Sequence, residues 1–137
     1  MEAIILVGPQ GAGKSTWVQR NCADTHVRLN LDMLKTRHRE TVLLHACLAV
    51  GQPFVVDNTN PTRAARARYL ALARAAGYTV RAVVFDIALE DALRRNEQRE
   101  AGRRVPEIGV RGTFAKLEPV TDDEGFDSLE VVKVETP

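Results

Sequence analysis

The sequence predicts an α/β fold in which helices cover both faces of a five-stranded parallel sheet, and three observations favour it. Short apolar segments typical of strands alternate with longer segments typical of helices along the chain. The first such segment, residues 3–7, is apolar at every position, as in a strand buried on both faces. Gly51, Gly77 and Gly102 stand where three of the helical segments end.

The N-terminal half supplies three strands and three helices. Gly8 closes the first strand, Gly51 ends a long helix, and Asn60-Pro61-Thr62 combines a turn with a helix start. The apolar segment PFVV is a short strand that ends at Asp57. In order, the predicted elements are strand 3–7, helix 14–21, strand 27–31, helix 32–50, strand 53–56 and helix 63–76.

The C-terminal half continues the same alternation. TVRAVVF and LEVVKV are strand-like, a helix with arginines on one face lies between them, and Pro106 opens a further helix. The predicted elements are strand 79–85, helix 89–101, helix 106–117 and strand 129–134. Because right-handed crossovers join parallel strands, we expect ligands to bind at the C-terminal edge of the sheet.

The composition is that of an ordinary globular protein, with 45% hydrophobic and 27% charged residues among 137. This length predicts one domain, residues 1–137. The apolar runs are far shorter than the ~18 residues of a membrane span, and the Met-Glu-Ala start lacks the basic residues of a secretory signal. Cys22 and Cys47 suggest neither a disulfide framework nor a metal site, so we expect a cytoplasmic protein without membrane contact.

The net charge of +1 hides an uneven distribution, since fifteen of the nineteen cationic residues are arginine. Residues 62–104 contain ten arginines and five acids, whereas residues 115–137 contain two lysines and seven acids. This asymmetry has two interpretations, namely a phosphate-rich ligand bound by the basic part or an arginine-rich surface that is simply solvated.

The loop after the first strand, GPQGAGKS, fits the phosphate-binding pattern GxxxxGK[ST] at every fixed position, which is typical of P-loop NTPases. Its glycines let the backbone bend around an anion, and the next helix points its N-terminus at the same place. Lys14 is expected to reach the β- and γ-phosphates of ATP or another NTP, and the Ser15 hydroxyl to bind Mg²⁺. The predicted phosphate-binding residues here are Gly8, Gln10, Gly11, Ala12, Gly13, Lys14, Ser15 and Thr16.

Aspartates stand at the C-terminal ends of three predicted strands. Asp57 has the form of a Walker B carboxylate near Mg²⁺, with capping of the turn at 57–60 as the alternative. Asp86 has the same local form, but helix capping or a loop position is the better interpretation there. Asp32 starts a helix and is the candidate general base, because an ionised carboxylate can accept a hydroxyl proton.

The helix predicted at 89–101 carries arginines suited to a lid over phosphates. Arg95 and Arg99 are four residues apart and are expected to share one face of that helix. Arginine clamps phosphate well because its guanidinium is planar and permanently charged. The alternative is pairing with acids on a wet surface, which fits Arg94 and Arg104 better than Arg99.

These motifs follow one another in the order of a known family. They are GPQGAGKSTW at 8–17, Asn30-Leu31-Asp32, the DNTNP block at 57–61, Arg95-Asn96-x-x-Arg99 and Val105-Pro106. The set resembles the 5′-hydroxyl polynucleotide kinases, which include bacteriophage end-healing enzymes and the kinase half of eukaryotic polynucleotide kinase/phosphatases. Residues 65–69, 73–77 and 124–126 are also similar to the eukaryotic kinase half.

The resemblance implies the adenylate-kinase-like branch of P-loop proteins and transfer of a nucleoside triphosphate's γ-phosphate, with Mg²⁺, to the 5′-OH of DNA or RNA. It implies that Lys14 and Ser15 hold phosphate and metal, that Asp32 is the base, and that Arg99 and Arg95 contact the donor phosphates. Asp57 would lie in the metal shell or on the acceptor side. The acceptor-binding candidates are Asp32, Lys35, Asp57, Asn58 and Asn60.

One position departs from the family. Some relatives carry an arginine three residues after the aspartate base, contacting the acceptor's phosphate, and this sequence has Lys35 there. Lysine keeps the charge but loses the bidentate geometry, and Arg37 or Arg39 are possible substitutes.

Two other functions share most of these residues. A P-loop kinase of a small-molecule hydroxyl, such as a sugar, nucleoside or antibiotic, would also use Lys14, Ser15, Asp32 and Arg99. A nucleotide-dependent switch module without transfer chemistry is a third possibility, although the Asn-Lys-x-Asp block of GTPases does not occur in the sequence. The sequence leaves the oligomeric state open.

Overall fold

A computed structural model of the protein describes residues 1–134, in which strands alternate with helices. In chain order the elements are β1 (Glu2–Val7), α1 (Lys14–Cys22), β2 (Val27–Leu29), α2 (Leu31–Leu34), α3 (Arg37–Val50), β3 (Phe54–Val56), α4 (Arg63–Ala75), β4 (Thr79–Asp86), α5 (Leu89–Glu97), α6 (Glu107–Lys116), a 3₁₀ turn (Asp122–Glu124) and β5 (Ser128–Lys133). All strands run parallel in the order β2-β3-β1-β4-β5, so the predicted five-stranded sheet is confirmed.

The most apolar strand, β1, lies at the centre of the sheet, between β3 and β4. Ile5 is in register with Val56 of β3 and with Ala82 of β4. Residues 3–7 of β1 are all buried, as the unbroken apolar run predicts. This pairing brings the ends of β1 and β3, and therefore the loops that follow them, to the same edge of the sheet.

Two hydrophobic cores flank the sheet because successive side chains of a strand point to opposite faces. Ala3 and Ile5 pack with residues of α3 and α4 on one face. Ile4 and Leu6 pack with residues of α1, α5 and α6 on the other face. Helices thus cover both faces. Within residues 1–134, no helix combines the length and the hydropathy that crossing a bilayer requires.

The helix predicted at 32–50 is wrong, because the structure divides it into α2 and α3. Lys35 follows α2 with a φ of 75°, which no α-helix accommodates. Thr36 then caps α3, its hydroxyl accepting a hydrogen bond from the Arg39 N–H. The apolar periodicity continues across this break, so the pattern alone does not reveal it.

The helix predicted at 89–101 is also too long, since α5 ends at Glu97. Arg99 therefore lies beyond the helix, and the expectation that Arg95 and Arg99 share a helical face is wrong. Asn96 explains the early end. Its side chain donates to the Val105 carbonyl and accepts from the Val105 N–H, which folds the chain back after the helix.

A buried ion pair ties the basic α4 to the acidic C-terminal part. Arg66 is fully buried, and its Nε and Nη2 donate to Glu124 at 2.9 and 3.0 Å. Arg66 also donates to the carbonyls of Asn60, Pro61 and Pro119. Burial alone would raise the pKa of Glu124, but these hydrogen bonds from Arg66 and one from the Thr121 backbone keep its pKa below the usual value.

We expect Glu124→Gln to lower the free energy of unfolding at pH 7 by about 3 kcal/mol, because it leaves a buried guanidinium without its counterion. A carboxylate with a lowered pKa stabilises the fold above the ordinary carboxyl pKa of ~4.3 and loses that contribution as the pH falls below it. Urea unfolding curves should therefore show that the difference in free energy of unfolding between wild type and variant becomes smaller as the pH falls from 5 to 3.

Glu107→Gln is the matched control, since it breaks an exposed arginine pair, with Arg111, whose two side chains are 54% and 59% exposed. Exposed pairs contribute ~0–1 kcal/mol, so this control should scarcely change stability. Equal effects of the two substitutions would contradict the role given to the Arg66–Glu124 pair.

Candidate active site

The loop between β1 and α1 forms a cradle at the C-terminal edge of the sheet. Gly11 and Gly13 have φ values of 82° and 93°, and a Cβ on Gly11 would lie 2.9 Å from the Ala92 carbonyl oxygen. Both positions therefore need glycine. Lys14 folds back over the loop, where its Nζ donates to the carbonyls of Gly8 at 2.9 Å and Pro9 at 2.7 Å.

The Lys14 ammonium is the centre of a group of charges. Burial, the largest effect, and Arg99 lower the pKa of Lys14, Asp57 and Asp32 oppose the shift, and the net result is a pKa of about 8. Asp57 lies close to Lys14, because the hydroxyl of the neighbouring Ser15 donates to the Asp57 carboxylate at 3.2 Å. The Asn30 side chain donates to the Asp57 carbonyl at 2.6 Å, so the start of α2, which carries Asp32, lies beside the end of β3.

Asp57 lies beside the first turn of α1. Its carboxylate is 2% exposed and accepts a hydrogen bond of 3.2 Å from the Ser15 hydroxyl. The Walker B interpretation of Asp57 requires its carboxylate to lie beside the Ser15 hydroxyl in this way. Arg28, on β2, completes the arrangement, since its Nε donates to Asp57 at 2.8 Å and its Nη2 to Ser15 Oγ at 3.1 Å.

The side chains of Ser15 and Asp57 fit a magnesium ion chemically, because hydroxyl and carboxylate oxygens are the ligands this cation takes. Their two oxygens already lie within hydrogen-bond distance of each other. Among residues 1–134, no cluster of three or more histidine, cysteine or acidic side chains suggests another metal site. Ser15 and Asp57 are therefore the candidate metal residues.

Arg28 is a site residue that the sequence analysis missed. It stands in the middle of the short strand VRL, where an arginine looks like an ordinary solvated residue. The alternation of side chains along a strand could have found it, since Arg28 points to the opposite face of the sheet from the buried Leu29. Only the pairing of β2 with β3 shows that this face meets Asp57.

Asp32 is exposed in the first turn of α2 and is not the cap of that helix. Asn30 has the capping position, because its side-chain oxygen accepts the Met33 N–H at 2.9 Å. The Asp32 carboxylate is thus available for chemistry. Asp86 is exposed at the end of β4 and does not cap α5 either, since Ala88 occupies that N-cap.

The asparagines of the DNTNP block hold the site together. Asn58 accepts the Leu31 N–H at 3.0 Å and donates to Glu40, which fixes the start of α2 beside the end of β3. Asn60 is buried and donates to the Leu6 carbonyl at 2.8 Å. Their predicted contact with an acceptor stays a prediction, since both side-chain amides already have partners within the protein.

The remaining predicted binding residues differ in whether they contact the cradle. Arg95 touches it directly, its Nε donating to the Gly11 carbonyl at 2.7 Å. Gln10 reaches away from the cradle and donates to the Thr113 hydroxyl of α6. Lys35 is exposed, and within residues 1–134 its one hydrogen bond is from its backbone N–H to the Leu31 carbonyl. Thr16 is exposed and lines a cavity beside the cradle.

A cavity of about 350 Å³ opens beside the cradle. Its walls include Gly13, Trp17 and Arg20 from the loop and α1, with Arg95 and Lys133 opposite. Trp17 is fixed there by an edge-on contact with Phe85, whose ring centroid is 6.4 Å away. The volume and position suit the base or ribose of a nucleotide whose phosphates lie in the cradle.

Comparison with known proteins shows the family to which the chain belongs. Residues 4–120 match the family described as AAA domain, so the chain belongs to that family. It is 28% identical over 135 residues to a bifunctional polynucleotide phosphatase/kinase of Schizosaccharomyces pombe. It is 33% identical over 145 residues to a protein of Acanthamoeba polyphaga mimivirus that is named for the same two activities. The resemblance to polynucleotide kinases seen in the sequence is thereby confirmed.

The two relatives are longer than this chain. Each alignment covers 96% of the chain but 33% of the relative, so the chain spans about a third of their length. Among solved structures, a sugar kinase from Janibacter sp. HTCC2649 superposes with a TM-score of 0.71 over 100% of this chain and 87% of its own, at 18% identity. That likeness shows the fold, and the predicted P-loop kinase fold is confirmed.

Removal of Arg28 should destabilise the protein, because among residues 1–134 the buried Asp57 carboxylate would keep the Ser15 hydroxyl as its one hydrogen-bond donor. We expect Arg28→Met to lower the free energy of unfolding by about 1.5–3 kcal/mol, the usual contribution of a hydrogen bond to a charged group. The measurement is urea unfolding of a double-mutant cycle. Arg28→Met with Asp57→Asn should cost clearly less than the two single effects added together. Strict additivity would show that the two side chains do not interact.

Proposed function

We propose that this member of the AAA domain family is a polynucleotide 5′-hydroxyl kinase that transfers the γ-phosphate of ATP or another NTP to the 5′-OH end of DNA or RNA. The observation that carries the proposal is that one edge of the sheet holds the Lys14 cradle, Asp57 bonded to Ser15, and the start of α2 with Asp32, since the Asn30 side chain donates to the Asp57 carbonyl. The two relatives named for polynucleotide phosphatase and kinase activities support the choice of acceptor.

The donor's phosphates would lie in the cradle. Lys14 would exchange its bonds to the Gly8 and Pro9 carbonyls for bonds to phosphate oxygens, while the loop N–H groups and the start of α1 face the same charge. Arg95 is already fixed on Gly11, and Arg99 would approach the phosphates from the segment after α5. Ser15 and Asp57 would hold Mg²⁺, which when bound neutralises charge on the β- and γ-phosphates.

The acceptor's 5′-oxygen would meet Asp32. As the new bond forms between that oxygen and the γ-phosphorus, the bond between the γ-phosphorus and the bridging oxygen breaks, and the hydroxyl proton passes to Asp32. Lys14 and the lid arginines neutralise the charge that spreads over the transferred group. The products are a nucleoside diphosphate and a 5′-phosphorylated end. We expect this reaction to take place in the cytoplasm.

The test is transfer of labelled γ-phosphate to a 5′-OH oligonucleotide, compared between wild type, Asp32→Asn and Asp86→Asn. We expect Asp32→Asn to lower kcat about 10²–10⁴-fold, the usual contribution of a general base, and to leave the Kd for ATP almost unchanged. Asp86→Asn is the matched control, because Asp86 is also an exposed aspartate and ends the neighbouring part of the sheet, at the end of β4. Undiminished turnover by Asp32→Asn would remove Asp32 as the base.

The same assay separates the competing functions. A small-molecule kinase would phosphorylate a sugar, nucleoside or antibiotic and no oligonucleotide, and a switch module would hydrolyse ATP with no acceptor phosphorylated. For a polynucleotide acceptor, KM should rise steeply with salt, since binding several phosphates releases counterions. A salt-independent KM would favour the small-molecule acceptor.

A further inference from the structure

Arg28 closes a ring of hydrogen bonds with the two candidate metal residues. Its Nε donates to Asp57 Oδ2 at 2.8 Å, and its Nη2 donates to Ser15 Oγ at 3.1 Å. The Ser15 hydroxyl in turn donates to the same Asp57 oxygen at 3.2 Å. One guanidinium therefore bonds both of the side-chain oxygens that would hold a magnesium ion.

These hydrogen bonds use the electron pairs that a metal ion would need. Ser15 Oγ gives its proton to Asp57 and accepts a hydrogen bond from Arg28. Asp57 Oδ2 accepts from both of the other residues. A metal ion bound by these two oxygens would take the place of the guanidinium, because two cations in one position repel each other strongly. Arg28 and Mg²⁺ are thus alternative partners of Ser15 and Asp57.

The charges at this position favour a metal ion that arrives with a nucleotide. The Asp57 carboxylate is 2% exposed, and the guanidinium of Arg28 balances its charge. A free divalent cation therefore finds no excess negative charge on this pair. Mg²⁺ usually keeps several waters and is bound by one or two protein oxygens together with substrate phosphates. The phosphates of a nucleotide in the cradle would supply the missing negative charge.

The Arg28 side chain can leave this position without disturbing the core. It is 33% exposed, whereas Arg66, in the other arginine–carboxylate pair with a nearly inaccessible acid, is fully buried. Its remaining terminal nitrogen, Nη1, lies 3.9 Å from the sulfur of Met33, which is a weak acceptor on an exposed residue of α2. The guanidinium thus has a path to solvent past α2.

We propose that Arg28 competes with Mg²⁺ for Ser15 and Asp57, so that the site takes the metal as a complex with the nucleotide and scarcely binds the free ion. The guanidinium holds the two oxygens until the metal–nucleotide complex enters the cradle and displaces it. The inference rests on the metal site of the proposed function, and it does not depend on which acceptor is phosphorylated.

The first test is a titration with MnCl₂ in the absence of nucleotide, in which electron paramagnetic resonance reports free Mn²⁺. Mn²⁺ prefers the same oxygen ligands as Mg²⁺. We expect Arg28→Met to bind Mn²⁺ about 10- to 100-fold more tightly than wild type, because the ion no longer has to break the charged hydrogen bonds of Arg28. Equal or weaker binding by Arg28→Met would overturn the proposal.

The same titration locates the ion. Asp57→Asn in the Arg28→Met background should remove the affinity that Arg28→Met gained, because the carboxylate that the guanidinium had occupied is then absent. Unchanged Mn²⁺ binding by this double variant would show that the ion is bound elsewhere, and it would also overturn the proposal.

The second test measures stability. An ion that binds the folded state stabilises it, so MgCl₂ should restore much of the free energy of unfolding that Arg28→Met loses and should change that of wild type little, at constant ionic strength. Arg68→Met is the matched control, since Arg68 is 34% exposed and also bonds a buried carboxylate, Glu40. Because Glu40 keeps Arg37, MgCl₂ should not restore this variant. Equal responses of the two variants would contradict the competition.

The third test needs no variant. In ¹⁵N NMR of wild type, the Arg28 Nε–H should exchange slowly with water because it is bonded to Asp57. Mg²⁺ with a non-hydrolysable ATP analogue should raise its exchange rate about 10-fold or more, whereas MgCl₂ alone should leave it unchanged. Slow exchange that persists with Mg²⁺ and the analogue would overturn the displacement.

None of these three measurements contains an acceptor. Failure of wild type to phosphorylate any polynucleotide would therefore overturn the proposed function and leave the competition between Arg28 and the metal standing. Conversely, transfer to a 5′-OH oligonucleotide together with equal Mn²⁺ binding by wild type and Arg28→Met would overturn the competition alone.

Discussion

The parallel pairing of β1 with β3 is the constraint on which the site depends. Because Ile5 is in register with Val56, the phosphate cradle after β1 and the carboxylate after β3 come out side by side. The hydrogen bond between Ser15 and Asp57 joins residues that are 42 positions apart in the chain. The buried apolar strands hold this register, since a slip by one residue would turn every side chain of a strand to the other face.

Buried carboxylates paired with arginine are the second organising feature. Asp57 pairs with Arg28, Glu40 with Arg37 and Arg68, and Glu124 with Arg66. A carboxylate buried without a partner would be very unfavourable, so each acid fixes the position of its arginine. This pairing resolves part of the charge asymmetry. Arg66 and Arg68 of the basic middle segment neutralise buried acids of the protein, while Arg95 bonds the cradle.

Local backbone features set the boundaries that periodicity predicts poorly. The apolar pattern runs through residues 32–50, but the positive φ at Lys35 and the Thr36 cap divide the helix. Asn96 ends α5 before Arg99 by bonding both backbone groups of Val105. In both places a side chain that bonds to nearby backbone groups determines where a helix begins or ends, and these bonds are not visible in the spacing of apolar residues.

The sequence by itself determined the fold class, the cradle at Gly8–Ser15 and the position of Asp57 at a strand end. Each of these depends on neighbouring residues, namely an unbroken apolar run, a glycine spacing and an acid that follows a strand. Only the tertiary structure decided that Arg28 meets Asp57, that Asn30 rather than Asp32 caps α2, and that Glu40 anchors Arg37. Two of these, the Arg28 and Arg37 arrangements, depend on which strand or helix lies opposite. The capping of α2 by Asn30 depends on the backbone path between β2 and α2. The physical reason is that a polar side chain is recognisable from sequence by its type, whereas its partner is chosen by packing.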